Sequence, residues 1–170
     1  MSNADRYPIE AAITAALCTR SDVKNWNRRG LITSALEPVD HGKARGYSRL
    51  NIYELALLKV LSEAGVSLME IPGSMKSIME NIESRRDLLL DGSTRQGTIL
   101  IWTPTRPGFL TWQKANMSIG DAIAQSQDQI GSIPIVKHMA PAIVAIDLIA
   151  LVKNVDSALA QWSESKRSTA

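Results

Sequence analysis

Between Arg20 and Arg29 the sequence RSDVKNWNRR gathers four cations, Arg20, Lys24, Arg28 and Arg29, with Ser21 and Asn25 beside them and Trp26 in their midst. Long cationic and amide side chains at this spacing suit one kind of chemistry. Their N–H groups can donate to acceptors on base edges, and their charges can neutralise phosphates. A second group follows at His41, Lys43, Arg45, Tyr47 and Arg49. Residues 20–49 hold seven Lys/Arg against three Asp/Glu, whereas the whole chain of 170 residues carries a net charge of only +2. A basic patch on an otherwise near-neutral chain points to a localised polyanion site rather than general stickiness.

Other chemistries find little support. There is no glycine-rich phosphate loop, no nucleophile elbow and no HExxH pattern, so no catalytic residues and no enzymatic activity are expected. Cys18 is the only cysteine, which excludes a disulfide framework and a thiolate cage within one chain. It reads as a small apolar residue at a turn. His138 has no second ligand nearby in sequence, so neither a metal site nor a cofactor is expected. The most apolar stretch, APAIVAIDLIALV at 140–152, is too short to span a bilayer and carries Asp147. Nothing at the N-terminus resembles a signal peptide, and the expectation is a cytoplasmic protein with no membrane partner. With 45% hydrophobic and 21% charged residues the chain can bury a core.

The elements that must hold the cations are legible in outline. Residues 8–17, PIEAAITAAL, start with a proline suited to a first helical turn and set Ile9, Ala12, Ile13, Ala16 and Leu17 along one apolar face. Thr19 can cap a second helix, with Asp22 completing a short capping box. In that helix Val23 and Trp26 point inward, followed by Leu31 and Ile32. Lys24, Asn25, Arg28 and part of Arg29 point away, and Gly30 supplies a stop. Residues 33–50, rich in turn formers, read as a β-hairpin or wing. Asn51 can cap a third helix built on Leu55, Leu58 and Leu61 and ended by Gly65. Ser67 can open a fourth, which Pro72-Gly73 interrupts. Residues 74–90 then resume with Met75, Ile78, Met79, Ile82 and Leu89 on one side, a face that could make a dimer contact.

Three segments in this order and spacing, SDVKNWNRRGLI, RGYSRLNIYELALLKVL and EAGVSLMEI, resemble the N-terminal domain of the MerR family of transcription regulators over about residues 7–75. The resemblance implies a winged helix-turn-helix. Lys24 falls where the family's recognition helix has its Arg, Trp26 where it has its second Tyr, and Gly46-Tyr47 on the wing's Gly-Tyr. The chain departs from the pattern at Asn25, Asn27, Ser48 and Pro72, and at Leu17, where the family's first turn has glycine. The resemblance further implies a homodimer on an inverted-repeat operator, with promoter DNA distorted on binding.

After Gly92 the pattern changes. GTILIWT and FLTWQ flank PTRPG and read as two strands joined by a turn. A short helix is expected at 118–129, further strands at IPIV and AIVAID, and a closing amphipathic helix with Leu148, Leu151, Val152, Val155, Leu159 and Trp162 on one face. The expected fold is therefore a mostly α winged helix-turn-helix followed by a small α+β C-terminal domain. The divisions are 1–91 for DNA binding, 92–162 for dimerisation and effector sensing, and 163–170 as a flexible tail. Trp102, Trp112 and Trp162 could line an effector pocket, or fill a core or dimer interface. The expected partners are double-stranded DNA, a second copy of the chain and a small-molecule effector. Two other readings remain open: an excisionase-like architectural or recombination factor, and a ligand- or protein-binding module with a vestigial helix-turn-helix.

Overall fold

The computed structural model describes residues 6–33, 46–70, 72–90, 98–103, 106–112, 121 and 144–168. Among the described residues five helices dominate: α1 (Ile9–Ala15), α2 (Arg20–Arg28), α3 (Arg49–Glu63), α4 (Pro72–Leu90) and α5 (Leu148–Arg167). A single 3-10 turn, Leu68–Glu70, lies before α4. Strands β1 (Thr98–Thr103), β2 (Arg106–Trp112) and β3 (Val144–Asp147) form an antiparallel sheet in the order β2-β1-β3. β2 begins at Arg106, so Pro107 and Gly108, expected in the turn, belong to the strand. As an edge strand among the described residues, β2 tolerates a proline that cannot donate to a ladder. The helix expected at 118–129, apart from Asp121, and the strand expected at IPIV lie outside the described residues.

α3 is the centre of the core. Ile52 through Leu58 are buried without interruption, as is Leu61, so this helix is enclosed on all sides rather than amphipathic. It starts three residues earlier than its sequence suggests. Ser48, not Asn51, is the N-cap, and Asn51 is its capping-box partner: Asn51 N–H donates to Ser48 Oγ at 3.2 Å and Ser48 N–H to Asn51 Oδ1 at 2.9 Å. α4 likewise begins at Pro72, where a missing N–H costs nothing because the first-turn donors have no helical acceptor. The proline therefore starts this helix rather than interrupting one.

α4 buries Met75, Ile78, Met79 and Ile82 within the same chain, leaving Lys76, Ser77, Glu80, Glu83, Ser84, Arg85 and Asp87 largely exposed. These four residues of its apolar face are thus covered within the chain. The cover includes α5, whose Leu148, Leu151, Val152, Val155 and Leu159 are buried in one cluster with Ala12, Leu58 and Ile78. α5 packs against α1, α3 and α4, so the last helix completes the core of the helix-turn-helix. It follows β3 directly, with Asp147 Oδ1 accepting from Ala150 N–H at 3.0 Å as its cap. Helix continues through Arg167, where a flexible tail from 163 was expected. Ser163 and Ser165 turn their hydroxyls back onto the carbonyls of Leu159 and Trp162, and Lys166 and Arg167 favour the negative end of the helix dipole.

The turn between α1 and α2 holds an unexpected residue. α1, α2 and α3 all close with paired 6→1 and 5→2 bonds: Cys18 N–H to Ile13 O, Leu31 N–H to Trp26 O and Val66 N–H to Leu61 O are the 6→1 members. The residue at the left-handed position is Gly30 (φ 66°) after α2 and Gly65 (φ 74°) after α3, but Leu17 (φ 53°) after α1. Leu17 leaves the helical phase there and is 80% exposed, not part of the α1 apolar face; that face is made by Ala11, Ala12, Ala15 and Ala16, with the expected Ile9 and Ile13 half-buried against the core. A left-handed leucine costs about 1–2 kcal/mol, whereas glycine costs about 0.5–1 kcal/mol in unfolded-chain entropy. Leu17→Gly should raise stability by about 0.5–1 kcal/mol, read as a higher denaturant midpoint at unchanged slope. An unchanged or lower midpoint would contradict this account of the turn.

Candidate nucleic-acid interface

The basic segment folds as α2, and its local chemistry fixes both ends. Thr19 Oγ1 accepts from Asp22 N–H at 3.1 Å and Asp22 Oδ2 accepts from Thr19 N–H at 2.9 Å, the expected capping box. The Thr19 N–H holds the Asp22 carboxyl below the usual carboxylate range against the opposing effect of burial, with the Thr19 hydroxyl helping. Arg20, at the first turn, is paired with Glu10 of α1. Trp26, 3% exposed, and Val23 fasten the helix to the core, and Leu31 is buried just past Gly30. Trp26 is thus a core anchor and not a base-stacking platform.

With those two residues inward, the helical repeat sets the outer face. Arg20, Lys24 and Arg28 recur every fourth residue and Ser21 and Asn25 lie beside them. Arg20, Ser21, Lys24, Arg28 and Arg29 are exposed and Asn25 is half-buried. Arg28 Nη2 donates to Asn25 Oδ1 at 3.2 Å, which holds the amide and guanidinium side by side. The nearby Cys18 thiol is pushed up to about 11, first by burial and then by Asp22. It is therefore a protonated, inert core group at neutral pH.

Of the expected wing, His41, Lys43 and Arg45 lie outside the described residues; the residues that flank it, its two roots, do not. Where the chain departs, Thr33 N–H and Oγ1 both donate to Glu54 Oε1 at 2.6 Å. Where it returns, Tyr47 forms an antiparallel bridge with Tyr7, with N–H to O distances of 3.0 and 2.8 Å. Tyr47 is buried in the core beside Tyr7 and does not stand out from the surface. Gly46 lies against the Arg6 side chain, whose Cβ would be 3.2 Å from an added methyl group.

Arg49 begins α3 at this root. Its Nε donates to the Tyr7 hydroxyl at 3.2 Å, and its Nη1 lies 3.7 Å from Asp156 Oδ1 on α5. Asp156 also accepts from the Tyr53 hydroxyl at 2.7 Å and from Arg86 Nη2 at 3.0 Å. One carboxylate therefore ties α3, α4 and α5 together. Sequence reasoning missed Glu54, Tyr7 and Asp156. A carboxylate inside the run IYELALL was the available signal for Glu54.

Burial, then the bond to Asp156, pushes the Tyr53 phenol up from 10.0 to about 12. The folded state thus holds this proton more tightly than the unfolded chain. Its stabilisation is complete below about pH 10 and is lost as pH rises through about 12. Tyr53→Phe should cost about 1 kcal/mol at neutral pH and lose less further stability in alkali than the parent. Equal alkaline slopes in the two proteins would refute this role.

The three tryptophans expected at an effector pocket are not shown together. The register sets Trp102 opposite Val144 and Trp112 opposite Thr98, and their side chains lie outside the described ones. Trp162 is half-buried on α5, with Lys166 Nζ 5.8 Å from its ring centroid. Among the described residues no group of three or more His, Cys, Asp or Glu could hold a metal ion. No described helix is long and apolar enough to cross a membrane.

Residues 7–78 match the family described as MerR HTH family regulatory protein, HTH denoting helix-turn-helix. No curated protein matches the chain.

Proposed function

We propose that this chain, whose residues 7–78 carry a MerR-family helix-turn-helix, is a sequence-specific DNA-binding transcription regulator acting as a homodimer on an inverted repeat. One observation carries the reading above all: α2 keeps Trp26 and Val23 inward and leaves Arg20, Lys24 and Arg28 on the opposite, exposed face. A helix of this kind suits the major groove. Ser21, Lys24, Asn25 and Arg28 would reach base edges, and Arg20 and Arg29 the backbone. His41, Lys43 and Arg45 would hold the flanking phosphates, fixing register, whereas Tyr47, buried in the core, would not. Of residues 92–162, the part before α5 would serve dimerisation, since α5 belongs to the helical core. With Met75, Ile78, Met79 and Ile82 of α4 covered inside the chain, the sheet, in which β2 is the outer strand, would supply the dimer contact.

Retention of a random-sequence duplex should fall steeply as salt rises, because each phosphate neutralised releases a counterion. A log–log slope near zero, with no retention at low salt, would contradict DNA binding.

A further inference from the structure

A hollow of about 370 Å³ lies where the end of α1 and the outer side of α3 meet β3 and the start of α5. Its inner walls are apolar: Ala15, Ala16 and Ala56 on one side, Ile146, Leu151 and Val155 on the other, all buried. The charged groups along its edge already have partners. Lys59 pairs with Glu63 at 3.1 Å, and Asp147 accepts from Ala150 N–H at 3.0 Å. The hollow thus offers a ligand apolar surface rather than charge, with the exposed amide of Asn154 beside it. Of the three exposed large hydrophobics among the described residues, two line this one space: Leu17, 80% exposed, and Val60, 37% exposed. Leu17 stands there in the left-handed conformation (φ 53°) that glycine takes after α2 and α3. Backbone strain of this kind collects at ligand clamps.

We propose that this hollow binds a small neutral molecule, a compact apolar body carrying one hydroxyl, carbonyl or N–H group. The body rests on the alanine wall, the polar group meets the Asn154 amide, which can donate or accept, and Leu17 closes over the opening. The space falls within the range of about 300–1,000 Å³ used for small organic ligands, and dry apolar cavities of about 150 Å³ already admit benzene. A charged ligand would lose its hydration against these walls without a free counter-charge to replace it. Leu17 lies two residues before Thr19, the cap of α2. An occupant that draws Leu17 inward would therefore bias the helix carrying Lys24 and Arg28, and by reciprocity DNA would alter affinity for the ligand. That regulatory consequence rests on the regulator reading; occupancy of the hollow does not.

Indole is the probe, neutral and apolar with one N–H, titrated into the full chain without DNA and followed by methyl resonances in solution. It should bind saturably with a dissociation constant of about 1 mM or tighter, shifting the methyl groups of Ala16, Ala56, Leu151 and Val155. Ala150→Trp, at an exposed position on the rim, should plug the opening and weaken binding by about tenfold or more without lowering the melting temperature. Leu17→Gly should weaken binding about threefold to tenfold while raising the denaturant midpoint, opposite signs that a merely structural residue would not give. Unsaturable shifts, shifts confined to methyl groups outside the hollow, or affinity unchanged in either variant would overturn the proposal. If the same methyl groups shift with protein concentration alone and indole has no effect, the hollow is a contact between copies and the proposal falls. DNA retention measured without indole tests the regulator reading separately, so either can fail alone.

Discussion

A chain ending at Asp147 is expected to lose its helix-turn-helix together with its last helix. α5 contributes Leu148, Leu151, Val152, Val155 and Leu159 to the cluster that also contains α1, α3 and α4 residues. At about 1.5–3 kcal/mol for each buried aliphatic side chain, those five supply about 8–15 kcal/mol, the whole stability of an ordinary domain. Asp156 would leave with them, stranding Arg86 and Tyr53 without their shared acceptor. The truncated protein should show weak helical circular dichroism, no cooperative melt and no DNA retention. Leu159→Ala in the full chain is the milder form, with an expected loss of about 2–5 kcal/mol. A truncated chain that melts cooperatively would show that the DNA-binding unit has a sufficient core of its own.

The second large effect concerns recognition without folding. Lys24 and Arg28 are exposed on α2, so replacing both with alanine should leave the melting temperature within a few degrees. Each contact of this kind is worth about 1–3 kcal/mol, so the double variant should bind its preferred duplex about 30-fold to 10,000-fold more weakly. If both side chains meet phosphate, the log–log salt slope should also become shallower by about two. Lys153→Ala, an exposed cation on α5, is the control and should change affinity less than twofold. Equal losses in the control and the double variant would mean that general charge, not α2, governs binding.

The features legible in sequence were those written into a few adjacent residues. Thr19 with Asp22, Gly30 and Gly65 declared the ends of α2 and α3, because caps and left-handed glycines act over three or four positions. Trp26 beside Val23 declared the inward face of α2, and with it the exposed cations. What sequence could not declare was which surfaces meet. The apolar stripe of α5 predicted an amphipathic helix but not that α3 and α4 would receive it. α4 showed an apolar face that suited a second copy, yet the same chain covers its Met75, Ile78, Met79 and Ile82. Leu17 breaks the local rule outright, taking a conformation that glycine holds in the two comparable turns. Asp156 lies about a hundred residues beyond Tyr53 in the chain, and only the packing of α5 brings them together.

Selection of bound sites from a random duplex library, with purified full-length protein at near-physiological salt, tests the central claim most directly. The account predicts enrichment of one inverted repeat whose half-sites are spaced for two recognition helices on one face of the duplex. Enriched tandem direct repeats would contradict the dimeric regulator and favour an architectural factor. A library recovered without any enriched sequence would contradict sequence-specific recognition by α2.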